Sequence, residues 1–317
     1  MNITLTAVTA AFAALLMAGA AAAQERITYK SARAGSSYFQ MGVQLSEAIS
    51  AGTDGSVSVT VEESQGSVQN VMDVRARGAD YVFTTPPALI TLAREGRAMF
   101  EDRSDPSFET IRALFPIPSL TMHFVVSEDS GIETYEDLAG ASILLGSGSF
   151  GAREGARYLE LFGLTDNVTV SDADLSGAVA ALQNGQVDAF VTAGSYPAPN
   201  VIEAAASTGV RVLSMSEEQV EETGRTRIVI PAGTYTGQEM DIVTTSLPVA
   251  AFATSAMSED TAYLLASTYW TQQEALTTGA AWWGGVSTDL LSNITTEFHP
   301  GALRYYQEIG VSVGATD

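Results

Sequence analysis

The sequence predicts an α/β protein built from two similar lobes. Short apolar runs typical of β-strands alternate with helical patterns along almost the whole chain, which favours largely parallel sheets. One pattern occurs twice: a helix ends at a glycine turn, an acidic residue follows, and a short apolar strand comes next, at residues 77–84 and again at 184–192. The length of 317 residues suits about two domains. Two α/β lobes therefore fit the sequence better than one large sheet.

Residues 1–23 are predicted to be a cleavable signal peptide rather than part of the fold. They carry no charged side chain, contain an apolar run at 10–16, and end in Ala21-Ala22-Ala23 before Gln24. A membrane anchor, the alternative, would be longer and more hydrophobic. No later run reaches the ~18 apolar residues that span a bilayer. We therefore expect the mature protein in the periplasm.

Three strands and two helices are predicted in the first part of the mature chain. The strands are residues 26–31, 57–61 and 81–83. The first helix opens after Gly35-Ser36-Ser37, and its apolar positions fit a 3.6-residue period: Met41, Leu45, Ala48 and Ile49. Ser67 is predicted to cap the second helix, whose apolar positions are Val68, Val71 and Met72.

The rest of the chain continues the alternation. Thr134 and Asp137 have the spacing of a capping box. Further strands are predicted at 143–145, 187–191, 211–213 and 247–253. A helix that ends at Gly163 carries the apolar stripe Ala152, Ala156, Leu159 and Phe162. The last helix in this set starts at Ser258 and runs through Trp270.

The two lobes are predicted to be joined by two chain crossings. Lobe 1 comprises residues 24–118 and 246–317, and lobe 2 comprises residues 119–245. The first boundary lies at Ile117-Pro118-Ser119, where the proline is expected to precede a new strand. The second boundary lies at the predicted strand 247–253.

Four polar segments of small residues follow predicted strands. Ligands of open α/β sheets bind beyond the carboxyl ends of the strands. Three of the segments also precede a helix directly, so their N–H groups and hydroxyls can receive an anion. Together they predict a lined cleft. The segments are Gly35-Ser36-Ser37-Tyr38, Ser64-Gln65-Gly66-Ser67, Gly146-Ser147-Gly148-Ser149 and Gly194-Ser195-Tyr196-Pro197.

The composition excludes several classes of protein. The absence of cysteine excludes disulfides, thiol nucleophiles and cysteine-based zinc sites. With 15 basic and 37 acidic residues the formal charge is −22, and this field repels the phosphate backbone of nucleic acids. Two unclustered histidines offer no pair of metal ligands. No nucleic-acid partner, metal or cofactor is expected.

A secreted serine hydrolase is a weaker alternative. Neither Ser149 nor Ser195 lies in a G-x-S-x-G motif. His123 lies in an apolar strand and is predicted to be a hydrogen-bonded core residue. His299 precedes Pro300-Gly301 and resembles the start of a helix. The sequence therefore shows no set of residues suited to nucleophilic catalysis, and we do not expect this protein to be an enzyme.

The segment Gly146-Ser147-Gly148-Ser149-Phe150-Gly151 matches the pattern G-x-G-x-x-G. It follows a predicted strand and opens a helix, and Asp172 and Asp174 come later, as in a dinucleotide-binding motif. The predicted export signal disfavours a dinucleotide ligand, because the periplasm is not supplied with free NAD. A site for a small anion is the favoured interpretation, and a purely structural turn is the other alternative.

Arg153 lies in the first turn of that helix, which is an unfavourable place for a cation if only the helix dipole acts. It either binds a ligand carboxylate with its guanidinium group or pairs with a nearby acid such as Glu154 or Asp172. The aromatic pairs Trp282-Trp283 and Tyr305-Tyr306 are predicted to pack in the core or between lobes rather than against a ligand.

The mature chain resembles the TAXI-type solute receptors of TRAP (tripartite ATP-independent periplasmic) transporters. The segments that carry the resemblance are GSSYF (35–39), GSVQN (66–70), GAD (78–80), DSGI (129–132), DLAG (137–140), GSFGAR (148–153), NGQVDAF (184–190), GSYP (194–197), IPAGTYTGQ (230–238) and HPGA (299–302). The last two are the more specific. Thr84 is a departure, since the family more often has Gln or Asn at this position.

The resemblance implies a two-lobed fold of the periplasmic-binding-protein type II class, with a hinged cleft between the lobes. It also implies a receptor that captures a small carboxylate, such as glutamate or 2-oxoglutarate, and delivers it to a sodium-coupled TRAP permease in the membrane. An ABC-type substrate-binding protein is the nearest alternative. We expect a monomer.

The expected ligand-binding residues come from the four polar segments, the end of the third strand and the helix after the glycine loop. They are Ser36, Ser37, Tyr38, Gly66, Ser67, Thr84, Thr85, Ser147, Gly148, Ser149, Arg153, Ser195 and Tyr196.

Overall fold

The structure is a computed structural model, and it describes residues 24–34, 36–147 and 149–313. The predicted signal peptide, residues 1–23, lies outside the described residues. The strands are β1 (Glu25–Lys30), β2 (Val57–Glu62), β3 (Tyr81–Thr85), β4 (Ile111–Ser127), β5 (Ser142–Leu144), β6 (Thr169–Ser171), β7 (Ala189–Gly194), β8 (Val210–Val212), β9 (Thr226–Ile230) and β10 (Ile242–Thr254).

The α-helices lie between and after these strands, and the remaining helical segments are short 3₁₀ turns. They are α1 (Ser37–Gly52), α2 (Ser67–Asp73), α3 (Pro87–Arg94), α4 (Phe150–Leu161), α5 (Ala178–Gln183), α6 (Pro199–Ser207), α7 (Glu217–Thr223), α8 (Glu259–Thr271), α9 (Gln273–Gly279) and α10 (Pro300–Glu308).

The sheet has the strand order β2-β1-β3-β10-β4-β7-β5-β6, with β8 paired to β4 and β9 to β10. This order consists of two halves with the same plan. In the first half β1 pairs in parallel with β2 and β3, and β3 pairs antiparallel with β10. In the second half β5 pairs in parallel with β6 and β7, and β7 pairs antiparallel with β4. The predicted α/β fold class is confirmed, and the repeated sequence pattern marks β3 and β7, which occupy equivalent positions.

The long strands β4 and β10 connect the two halves. Their pairing is irregular between Leu247 and Val249, where Leu247 lies opposite Leu120 and Val249 opposite Ile117. Pro118 and Pro248 lie at this irregularity. The strands do not pair regularly there, so the N–H group that proline lacks is not needed for a hydrogen bond between them. The sequence predicted a new strand after Pro118. This expectation is wrong, because the bulge lets one strand run from Ile111 to Ser127 through the proline.

Serine side chains cap the N-termini of the helices whose ends face the cleft between the halves. Ser36 Oγ accepts a hydrogen bond from the N–H of Phe39 at 3.2 Å, and Ser149 Oγ accepts one from Ala152 at 2.9 Å. Ser258 caps α8 as predicted. The predicted cap at Ser67 is wrong: Ser67 is the first helical residue, and Gly66, at φ 116°, precedes it without a side-chain cap.

Helix α4 lies directly against β7 because it has glycines one turn apart. A Cβ atom on Gly151 would lie 2.9 Å from the Cβ of Ala193, and one on Gly155 would lie 3.0 Å from Cγ1 of Val191. Larger side chains at these positions would lift the helix off the strand. The close contact holds the N-terminus of α4 near the end of β7.

The aromatic pairs near the C-terminus pack in the core, as the sequence predicts. Trp283 is buried, and its indole N–H donates to Oε1 of Gln44 on α1 at 2.7 Å; the indole N–H of Trp282 donates to the same oxygen at 3.1 Å. Tyr306 is also buried, and its hydroxyl donates to the carbonyl oxygen of Leu114 at 2.6 Å. These contacts attach the C-terminal segment to the first half of the sheet.

Candidate functional site

A cavity of about 100 Å³ lies between the two halves of the sheet, at the carboxyl ends of the parallel strands. Six of the predicted site residues line it. Ser36, Tyr38, Gly66 and Ser67 come from the first half, and Ser147 and Ser149 come from the second. The described residues that line the cavity include no Asp or Glu. The lining itself therefore offers hydroxyl groups and no carboxylate.

The N-termini of α1 and α4 meet at this cavity. Ser36 and Ser149, the capping residues of the two helices, both line it. The N-terminus of an α-helix carries a partial positive charge and free N–H groups, which stabilise an anion. The two halves thus each contribute one helix end to the same small space.

Arg33 is the one positively charged side chain among the described residues that line the cavity. It forms an ion pair with Asp174 of the second half and donates to the side-chain carbonyl oxygen of Gln65. Its Nε is buried and has no hydrogen-bond partner within the described residues. Arg33 was not predicted from the sequence, because a single arginine in a polar loop has no periodic pattern. The feature that could have indicated Arg33 as a site residue is its position between a strand and the Gly-Ser segment that precedes a helix.

Tyr38 and Ser37 form contacts that cross from the first half to the rest of the molecule. The hydroxyl of Tyr38 donates to the carbonyl oxygen of Pro118 in the irregular part of β4 at 3.0 Å. Burial, with a smaller effect of Tyr29, raises the pKa of Tyr38 well above its usual range, so the hydroxyl remains a donor. Ser37 is buried and lies outside the cavity lining. A Cβ atom on Gly194 would lie 2.7 Å from Ser37 Oγ.

Six predicted site residues within the described ranges do not line the cavity, namely Ser37, Thr84, Thr85, Arg153, Ser195 and Tyr196. Thr84 Oγ1 hydrogen-bonds to the hydroxyl of Tyr29 at 2.5 Å, and Thr85 is fully buried beside it. Ser195 is buried, and its Oγ has no hydrogen-bond partner within the described ranges. Tyr196 is half-buried and packs against a hydrophobic cluster of the second half that includes Phe190 and Val201. Gly148 lies outside the described residues.

Arg153 lies in a groove of about 340 Å³ that adjoins the cavity. The groove also contains Arg103, and it shares Gln65, Gly66, Ser67 and Phe150 with the cavity. The alternative in which Arg153 pairs with Glu154 is not what the structure shows, because Glu154 binds Arg225 through two hydrogen bonds of 2.9 and 2.7 Å. Desolvation lowers the pKa of Arg153, but a guanidinium group stays charged.

The glycine loop 146–151 has the strand–loop–helix context of a dinucleotide motif. Its acidic residue Asp174, however, pairs with Arg33 and accepts a hydrogen bond from the N–H of Ser176 at 3.0 Å. A Cβ atom on Gly146, at φ 78°, would lie 2.9 Å from the Cβ of Leu175. The loop therefore packs closely on the segment that follows β6. These contacts engage Asp174 within the protein and disfavour the dinucleotide interpretation.

Both histidines have structural partners. His123 is fully buried; its Nδ1 contacts the carbonyl oxygen of Thr121 at 3.1 Å, and its Nε2 contacts the hydroxyl of Tyr235 at 2.9 Å. Desolvation lowers its pKa to about 4, so the ring is neutral. His299 caps α10 and contacts the carbonyl oxygen of Met257 at 3.1 Å. Neither ring hydrogen-bonds to a serine of the described residues, so no Ser-His pair for hydrolysis forms there.

Residues 30–310 match the model of the NMT1-like family. The chain belongs to the NMT1-like family. None of the helices in the described ranges is both long and apolar enough to cross a membrane.

The fold of this NMT1-like protein is similar to solved structures of periplasmic proteins. MatC from Rhodopseudomonas palustris with bound malate has a TM-score of 0.58 at 12% identity, covering 90% of this chain and 97% of that one. A periplasmic transporter has a TM-score of 0.57 at 11% identity, with 90% and 93% covered. Periplasmic binding protein BugD has a TM-score of 0.55 at 12% identity, with 91% and 99% covered. The predicted two-lobed periplasmic-binding-protein type II fold is confirmed.

Proposed function

We propose that the chain is a periplasmic receptor that captures a small carboxylate between two lobes and delivers it to a TRAP-type permease. The cavity carries this proposal. It combines serine and tyrosine side chains, two helix N-termini and Arg33, and its described lining has no acidic residue. In a protein with a net charge of −22, a small concave site of this kind favours an anion of matching size.

The proposed binding motion uses the two lobes expected from the sequence, 24–118 with 246–317 and 119–245. The irregular pairing at Pro118 and Pro248 supplies a hinge between them, because the strand ladder is interrupted there. Ser36, Tyr38, Gly66 and Ser67 then hold the ligand from lobe 1, while Ser147 and Ser149 hold it from lobe 2. Closure brings the ends of α1 and α4 onto the same carboxylate.

The family and the fold neighbours agree with the proposal without naming the ligand. MatC holds malate, a small carboxylate, within a similar fold. We propose a carboxylate of the glutamate or 2-oxoglutarate type, as the TAXI resemblance implies, and sodium-coupled transport through the permease. The alternative is that the protein serves an ABC-type transporter. The two alternatives differ in the membrane protein that receives the ligand, and not in the cavity that binds it. A gene for a large multispanning permease beside this one supports TRAP, whereas one for an ATPase supports ABC.

The experiment is a thermal-shift panel of 2-oxoglutarate, glutamate, glucose and spermidine, followed by calorimetry. We expect stabilisation by the carboxylates and at least a tenfold loss of their affinity in Arg33→Gln. Arg26→Gln is the matched control, since Arg26 is exposed on β1 and outside the cavity. Stabilisation by glucose or spermidine alone would reject the carboxylate. Equal affinities in the two variants would reject the role of Arg33.

A further inference from the structure

Arg103 and Arg153 face the same groove from opposite halves of the molecule. Arg153 lies on α4 of the second half, whereas Arg103 lies in the loop before β4. In the described part of the chain, neither guanidinium group lies within 4.0 Å of a carboxylate, although most other arginines have such a partner. Glu154, which is next to Arg153 in sequence, pairs with Arg225 instead.

The groove is a local exception to the charge of the protein. Its described lining holds two arginines and no acidic residue, while the whole chain has 37 acidic against 15 basic residues. A concave surface with one sign of charge concentrates ions of the opposite sign. Guanidinium groups suit carboxylate and sulfate groups because their planar N–H groups can donate two hydrogen bonds to one anion.

The groove adjoins the cavity. Gln65, Gly66, Ser67 and Phe150 line both. Gln65 also accepts a hydrogen bond from Arg33, so Arg33 lies on the cavity side of this shared wall. The cavity alone, at about 100 Å³, has room for little more than one small anionic group, whereas the groove adds about 340 Å³.

We propose that Arg103 and Arg153 form a second anion site at the rim of the cavity, which binds a group the size of a carboxylate or sulfate. The group is either the far end of the bound solute or a separate inorganic anion. The first source rests on the proposed carboxylate function, and the second does not. Because each half contributes one arginine, an anion bound there links the two halves.

The test compares three probes by calorimetry: glutarate, pentanoate and sodium sulfate. Glutarate and pentanoate have chains of equal length, but only glutarate has a second carboxylate. Each probe is titrated into the wild-type protein, the double variant Arg103→Gln/Arg153→Gln, and the control Arg26→Gln, which removes an exposed arginine outside the groove. Circular dichroism spectra of all three proteins check that the fold is unchanged.

If the solute supplies the anion, the double variant binds glutarate at least tenfold more weakly and pentanoate with less than twofold change. If a separate anion binds, the double variant loses sulfate binding while both carboxylates are unaffected. Identical results for the double variant and Arg26→Gln with all three probes would overturn the second site and leave carboxylate binding intact. If the wild-type protein binds neither these two probes nor the 2-oxoglutarate and glutamate of the thermal-shift panel, the proposed function fails, and loss or retention of sulfate binding decides the second site.

Discussion

Arg33 and Asp174 form an ion pair beside the cavity, one residue from each half of the molecule. Arg33 follows β1, and Asp174 follows β6. Arg33 is also the positive side chain of the cavity lining that a ligand carboxylate would contact. The carboxylate of the proposed ligand would therefore compete with Asp174 for the guanidinium group of Arg33.

Removal of this competing carboxylate should strengthen binding. We expect Asp174→Asn to bind 2-oxoglutarate several-fold more tightly than the wild-type protein, because the ligand no longer displaces a charge-assisted hydrogen bond. Asp172→Asn is the matched control: Asp172 is exposed in the same loop, and it has no ion pair among the described residues. Calorimetry measures the three dissociation constants. Weaker binding in Asp174→Asn than in the control would show that Asp174 holds the halves together around the ligand.

A second prediction concerns pH and His123. The carbonyl oxygen of Thr121 can only accept, so Nδ1–H donates to it; Nε2 then accepts from the hydroxyl of Tyr235, which in turn accepts from the N–H of Ala198 at 2.9 Å. In this arrangement Nε2 acts as an acceptor, so the ring is neutral. Burial lowers the pKa of His123 from 6.5 to about 4 in the folded protein.

The unfolded chain therefore binds the proton first as the pH falls. Above about pH 6.5 both states are neutral at His123, and this residue does not lower the free energy of unfolding. Between pH 6.5 and pH 4 the free energy of unfolding decreases, by up to about 3 kcal/mol. We expect the free energy of unfolding of His123→Gln to depend less steeply on pH in this range, by roughly one proton. Urea denaturation at several pH values measures both proteins. Parallel pH curves would contradict the low pKa of His123.

The sequence predicted the repeated plan but not the way in which the halves are joined. Alternating apolar runs and glycine turns are local signals, so β1, β3, α1 and α4 could be located from them. The continuity of β4 depends on β10, which pairs with it from far along the chain and places Pro118 at a bulge. A local rule for proline therefore placed the start of a new strand in the middle of β4.

The sequence predicted the location of the candidate site better than it predicted which residues line it. Loops after parallel strands converge in this fold class, which places Ser36, Ser67 and Ser149 in one cavity. Thr84 lies at the end of β3 as expected, but its hydroxyl is used by Tyr29 within the core. Arg33 is identified by its partner Asp174, and no local pattern connects two residues so distant in sequence.

A third prediction concerns the HPGA segment, where His299 caps α10 and Gly301 lies against α8. A Cβ atom on Gly301 would lie 2.0 Å from the carbonyl oxygen of Glu259 and 2.8 Å from the amide nitrogen of Tyr263. Backbone atoms in a helix cannot move aside as a side chain can. We expect Gly301→Ala to lower the free energy of unfolding by about 3 kcal/mol or to prevent folding.

Gly279→Ala is the control for this substitution, because a Cβ atom on Gly279 meets nothing within 4 Å. Its free energy of unfolding should be equal to or above that of the wild-type protein. Denaturant titration compares the variants. An unchanged stability in Gly301→Ala would mean that α8 and α10 lie further apart than the structure places them.

The last prediction uses the contact between Ser37 and Gly194, which joins α1 of one half to the end of β7 in the other. The missing Cβ atom of Gly194 would lie 2.7 Å from Ser37 Oγ but 3.9 Å from Ser37 Cβ. Gly194→Ala should therefore prevent the halves from closing fully and weaken carboxylate binding about tenfold. Because Ser37→Ala removes only the clashing oxygen, the double variant Ser37→Ala/Gly194→Ala should regain most of the lost affinity. Calorimetry with 2-oxoglutarate on the wild-type protein, both single variants and the double variant gives the coupling between the two positions. Additive effects would show that the positions do not meet when the ligand is bound, whereas recovery in the double variant would locate the closing contact at this pair.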